Sequence, residues 1–167
     1  MKNEQLTVLR TMNEATNRMD LNMFAQKVNL TPSQTITKIQ ELAKSGFLRK
    51  SESGGFGITA KGKAALKAFM PVPQEKRFHF YIGMDSPAGL TAQSLAEFYT
   101  LVGQVSADSL EFHLLRGDFE KWARDVLEEE KLAQELGNLE SAGLSGEELR
   151  KELLGLIEAE FGVEELL

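Results

Sequence analysis

The sequence predicts a mainly α-helical protein with a small β component, divided into two domains. Apolar residues recur at helical spacing along most of the chain, whereas period-two alternation is confined to short stretches. Met70-Pro71-Val72-Pro73-Gln74 sets two prolines one residue apart, which disfavours helix and favours a short extended connector. The charge changes sign across that connector. Residues 1–70 carry 11 Lys+Arg against 5 Asp+Glu, whereas 71–167 carry the remaining 8 against 20. These features place one domain at 1–70 and a second at 76–167.

In the first domain, Leu6, Leu9 and Met12 mark a helix over about 3–17. Asp20 is a candidate cap for a short second helix carrying Leu21, Phe24 and Val28. The third helix, over 31–45, has the clearest start. Thr31 is a good N-cap, and Pro32 stands at the first helical position, where its missing N–H costs nothing. Ile36, Ile39 and Leu42 form its expected buried stripe, and Gly46 can end it at positive φ. Phe47-Leu48-Arg49-Lys50 and Phe56-Gly57-Ile58-Thr59 read as paired strands around a Gly54-Gly55 turn. A helix with Ala64, Ala65, Leu66 and Phe69 runs up to the prolines.

Beyond them, Phe78, Phe80 and Ile82 alternate with His79 and Tyr81, as in a half-buried strand. Helices are expected near 92–104, 107–116, 118–137 and 145–161, with Asp118 and Ser145 as N-caps and breaks at Gly117 and Gly143. Leu149, Leu153, Leu156 and Ile157 define one stripe of the last helix, and Leu154 and Phe161 widen it. So broad an arc packs on two sides, either within its own domain or against a second subunit.

Composition excludes several classes of function. Apolar residues make up 42% of the chain, enough for a real core, and there is no cysteine for a disulfide, a thiolate nucleophile or a zinc site. The polar start lacks a secretory signal, and no stretch reaches the roughly 18–20 apolar residues of a membrane span, so a cytoplasmic protein is expected. The excess of cations in 1–70 suits a polyphosphate partner, which the acidic remainder would repel.

Three helices, a two-stranded hairpin and a closing helix make the winged helix-turn-helix order. The stretches Thr31–Ile39, Leu42–Arg49 and Ile58–Leu66 resemble the recognition helix, its exit and the segment after the wing in MarR-type regulators. That resemblance implies a homodimeric, sequence-specific transcriptional regulator on a pseudo-palindromic site in double-stranded DNA. With the apolar stripe buried, Ser33, Gln34, Thr37 and Lys38 project from the helix end that enters the major groove. Gln34 suits adenine and Lys38 guanine or phosphate, while Ser33 and Thr37 offer short hydroxyls. Lys44, Arg49, Lys50, Lys61 and Lys63 complete the expected DNA-binding set as phosphate partners. The wing tip, Ser51-Glu52-Ser53-Gly54-Gly55, is acidic and lacks an arginine for the minor groove.

Arg77–Gly83 and Ser109–Trp122 resemble a domain of unknown function found in archaeal and bacterial proteins, and that likeness implies no activity. It leaves the second domain to dimerisation, sensing of a small molecule or contact with a protein. The only two histidines, His79 and His113, lie outside any metal-ligand spacing, and no phosphate loop or nucleophile elbow is present. No catalytic residue, metal or cofactor is therefore expected. Trp122, Phe119, Val126 and Leu127 read as core, and Glu128-Glu129-Glu130 as a solvated helix face. Two other readings stay open: a protein–protein adaptor of the transcription or replication apparatus, and an enzyme binding a small molecule through His79, His113 and Arg116.

Overall fold

A computed structural model describes residues 2–15 and 20–167. It is mainly helical, with two separate two-stranded antiparallel sheets. The chain divides into two compact units, one of Met1–Lys67 with Phe161–Leu167 and one of Ala68–Glu160. The sequence reading groups 76–167 together; the last seven residues pack instead with the first unit.

In the first unit, α1 spans Lys2–Glu14 and buries Val8 and Leu9. It ends earlier than periodicity indicates, and residues 16 and 17 of the expected helix lie outside the described residues. Asp20 accepts the Met23 N–H at 2.8 Å and caps α2, Leu21–Lys27, which buries Phe24 and Ala25. The third helix, α3, spans Pro32–Lys44. Strands β1, Leu48–Lys50, and β2, Phe56–Ile58, pair with Arg49 opposite Gly57, and α4 follows over Ala60–Ala68.

The buried stripe of α3 differs from the expected one. Thr35 and Leu42 are buried, Ile39 is half-buried, and Ile36 is 42% exposed. A threonine tolerates this burial because its hydroxyl donates to the Thr31 carbonyl one turn back, at 2.9 Å. Positions 35, 39 and 42 then share the inner face, which turns residue 36 outward.

Two glycines fix the approach of β1 to α4. Gly46 takes φ +85 after α3, a conformation that a side chain would strain. Gly62 lies so close to the β1 entry that a Cβ would stand 2.3 Å from the Phe47 carbonyl oxygen. Thr59 Oγ1 reinforces this junction, donating to the Gly46 and Phe47 carbonyls and accepting the Gly62 N–H at 3.0 Å. Phe161, Val163 and Leu166 of the tail are buried, and Gly162 abuts Lys61 and Phe47.

In the second unit, β3, Phe78–Gly83, pairs with β4, Ser86–Ala92. The sequence of 86–92 does not predict the second strand. Irregularities between His79 and Gly83 break the alternation, so Phe78 and Phe80 are buried but Ile82 is 50% exposed. Helices α5, Leu95–Val102, and α6, Ala107–Arg116, follow as expected, and Gly117 ends α6 at φ +73. The expected helix over 118–137 is two helices, α7, Asp118–Asp125, and α8, Glu130–Ser141. Glu128, at φ +57, lies in the intervening turn, and so not on a helix face. Helix α9 spans Gly146–Phe161 and fully buries Leu149, Leu153 and Ile157, so that stripe is occupied within the chain. Phe78 packs edge-on against Phe80, Phe98 and Trp122, with ring centres 4.8–5.5 Å apart.

Candidate functional site

The expected DNA-binding residues separate into two groups. Ser33, Thr37, Lys44, Arg49, Lys50 and Lys63 are exposed. The four cations among them have no ion-pair partner among the described residues. Ser33 and Thr37 lie one turn apart on α3, and the Thr37 hydroxyl donates to the Ser33 carbonyl at 3.1 Å.

The other three are engaged within the first unit. Gln34 Oε1 accepts the Thr31 N–H at 3.0 Å, while Thr31 Oγ1 accepts the Gln34 N–H at 3.1 Å. This reciprocal capping box ties down the side chain expected to read adenine. Its signature, a threonine followed three residues later by glutamine, is present in the sequence and could have identified that role. Lys38 is half-buried, 3.4 Å from Glu41 and 3.7 Å from Glu4, so its charge faces two carboxylates. Lys61 Nζ donates to the Ser45 carbonyl at 2.7 Å and lies 4.7 Å over the Phe47 ring. It thus satisfies a free carbonyl at the end of α3, where a cation also meets the negative end of the helix dipole.

Ile36 joins the outward face, flanked in sequence by Ser33 and Thr37 and followed by Gln40 and Lys44, all exposed. The face is therefore uncharged and hydroxyl-bearing towards the start of α3, with cations at its end and along β1. The first unit, tail included, carries 11 Lys+Arg and 7 Asp+Glu, a net charge of +4. The tail lowers the excess through Glu164 and Glu165, yet leaves it positive.

In the second unit, Ser109 and His113, one turn apart on α6, bind the backbone of Tyr81. His113 Nε2 accepts the Tyr81 N–H at 2.8 Å, and Ser109 Oγ donates to the Tyr81 carbonyl at 2.7 Å. Both backbone groups of a strand residue point the same way, here towards α6; Pro87, opposite Tyr81 on β4, has no N–H to pair. The two side chains thus cover an open strand edge. His113 Nδ1 lies 2.8 Å from Asp118 Oδ2. Since Nε2 accepts, Nδ1 carries the proton and donates it to the carboxylate. Asp118, expected as an N-cap, holds this imidazole, and Gly117 occupies the cap position. Burial holds the His113 pKa below its ordinary 6.5; Asp118 opposes that shift and Arg116 adds to it.

A groove of about 660 Å³ opens beside this cluster, lined in part by His79, Phe112, Arg116, Lys121 and Trp122. His79 Nδ1 bonds Thr91 Oγ1 at 3.0 Å, and Arg116 donates to Met84 Sδ at 3.2 Å above the Phe112 ring. The structure thus brings His79, His113 and Arg116 to one groove. Both nitrogens of His113 are already bonded, which leaves neither for a substrate. Among the described residues there is no group of three or more His, Asp or Glu side chains placed to hold a metal, and no helix long and apolar enough to cross a membrane.

Residues 64–158 match the model of a family of unknown function (DUF5752). The match covers more than half of the chain, and the chain belongs to that family. No curated protein and no solved structure matches it.

Proposed function

We propose that this member of the DUF5752 family is a sequence-specific DNA-binding regulator whose first unit is a winged helix-turn-helix that sets α3 in the major groove. The observation that carries the reading is the pairing of an uncharged, hydroxyl-bearing face on α3 with four exposed cations, Lys44, Arg49, Lys50 and Lys63, that have no ionic partner among the described residues. Phosphates would complete those cations, and short polar side chains would face the base edges. The order of helices and hairpin supports the same reading.

Gln34, Lys38 and Lys61 leave the contact set in this reading, because each has a structural task. In this reading the second unit is not a catalytic domain; of His79, His113 and Arg116, the groups of the enzyme alternative, His113 is committed to Tyr81 and Asp118. Its cytoplasmic setting and a homodimeric state complete the proposal; a dimer would use a surface other than the Leu149, Leu153 and Ile157 stripe.

The test is binding of the full chain to a randomised duplex library, followed by titration of an enriched sequence at several salt concentrations. Four phosphate contacts predict a log–log salt slope of about −3 to −4. No enrichment, together with an affinity independent of salt, would overturn the proposal in favour of a protein-docking adaptor.

A further inference from the structure

We infer that Ile36 is a specificity-determining residue that reads the 5-methyl group of thymine. The inference rests on the DNA-binding reading above and adds a base preference to it. Sequence periodicity assigns Ile36 to the core, but the structure leaves it 42% exposed in the first half of α3. Thr35 takes the inner position that Ile36 would otherwise occupy, with its hydroxyl bonded to Thr31.

Part of the Ile36 side chain is open to solvent on the same outward face as the hydroxyls, so it offers apolar surface that a ligand seated on that face would cover. The surroundings define that ligand's chemistry. Ser33 and Thr37 stand one turn apart beside Ile36, and Lys44 lies two turns further along the helix. An apolar protein partner would leave the charges of Lys44, Arg49, Lys50 and Lys63 unmatched. A DNA major groove instead presents phosphates to the cations, donors and acceptors to the hydroxyls, and one apolar group, the thymine methyl, to Ile36. Cytosine, which lacks that methyl, would leave the isoleucine facing a polar edge.

Removing one methyl from an apolar contact predicts a loss of about three- to tenfold in affinity. The test uses the full chain and the duplex enriched from the random library. Each thymine is replaced in turn by deoxyuracil, which deletes only the methyl. The expected result is one position per recognition helix at which uracil weakens binding three- to tenfold. Ile36→Ala should bind the thymine duplex as weakly as the wild type binds the uracil duplex, and should no longer distinguish the two. Circular dichroism checks that the exposed substitution leaves the fold intact, and the uracil series needs no substitution at all. Uracil tolerated at every position, or an undiminished uracil penalty in Ile36→Ala, would overturn the role of Ile36 while leaving DNA binding standing. Failure of the library to enrich any sequence would overturn both.

Discussion

The imidazole of His113 accepts the amide proton of Tyr81 at 2.8 Å, so a side chain of α6 does the work of a missing neighbouring strand. That bond exists only while Nε2 is unprotonated. With the folded pKa held below the ordinary 6.5, the native state binds fewer protons than the unfolded one between the two values. The contribution is complete above about pH 6.5 and is lost as pH falls from there through the folded pKa. Thermal unfolding from pH 8 to 5 should show this loss in the wild type. His113→Gln, whose amide oxygen can take the same proton without titrating, should lose less. Equal pH dependence in the two proteins would refute the assignment. Nitrogen NMR provides a second check and should report the proton on Nδ1.

Gly62→Ala should destabilise the first unit by about 1–3 kcal/mol or more, because the added methyl meets the Phe47 backbone. Gly57→Ala, in β2 with open space around it, is the control and should change little. Denaturant midpoints of the two variants measure the difference.

Lysines 61 and 63 are two residues apart, yet should respond differently to removal. Lys61→Ala loses a helix-end hydrogen bond and a ring contact, so a loss of stability of about 0.5–1.5 kcal/mol is expected. Lys63→Ala should leave the melting temperature unchanged and make the salt slope of DNA binding shallower by about 1. Calorimetry and binding titrations on both variants separate the two roles.

A chain ending at residue 160 loses the buried Phe161, Val163 and Leu166. Each buried side chain of this kind contributes about 1.5–3 kcal/mol, so the truncated first unit should unfold early or not form. A fragment of residues 1–70 should show the same defect and recover helix signal when a peptide of residues 158–167 is added. Full stability of the 1–70 fragment without the peptide would refute the role of the tail.

Much of the first unit was legible because its signals are local. Thr31-Pro32 starts α3, Gly46 ends it, and alternating residues around Gly54-Gly55 form the hairpin. Periodicity misleads where a polar group finds an internal partner. Periodicity alone puts Ile36 inside and Thr35 outside, since it does not register a hydroxyl bonded one turn back. Gln34 and Lys61 look like free surface groups until the carbonyl or N–H that they bind is located. In the second unit, β4 begins Ser-Pro-Ala-Gly, residues with little preference for strand, and it exists because β3 and α6 surround it with pairing and packing. The turn at Glu128 has no glycine or proline to announce it. The cluster ties His113 and Ser109 to Tyr81, 32 and 28 positions away, through the backbone atoms of Tyr81, which leave no mark in the sequence.

The return of Phe161–Leu167 to the first unit also sets a timetable for synthesis. Domains generally fold in the order in which they leave the ribosome. Here residues 1–67 emerge first but lack part of their interior until all of 68–160 has been translated. The second unit therefore has every residue it needs before the first does. A ribosome that stalls anywhere within 68–160 leaves the amino-terminal helices unfinished, so nascent chains hold α3 in an incomplete scaffold until Leu166 has been added.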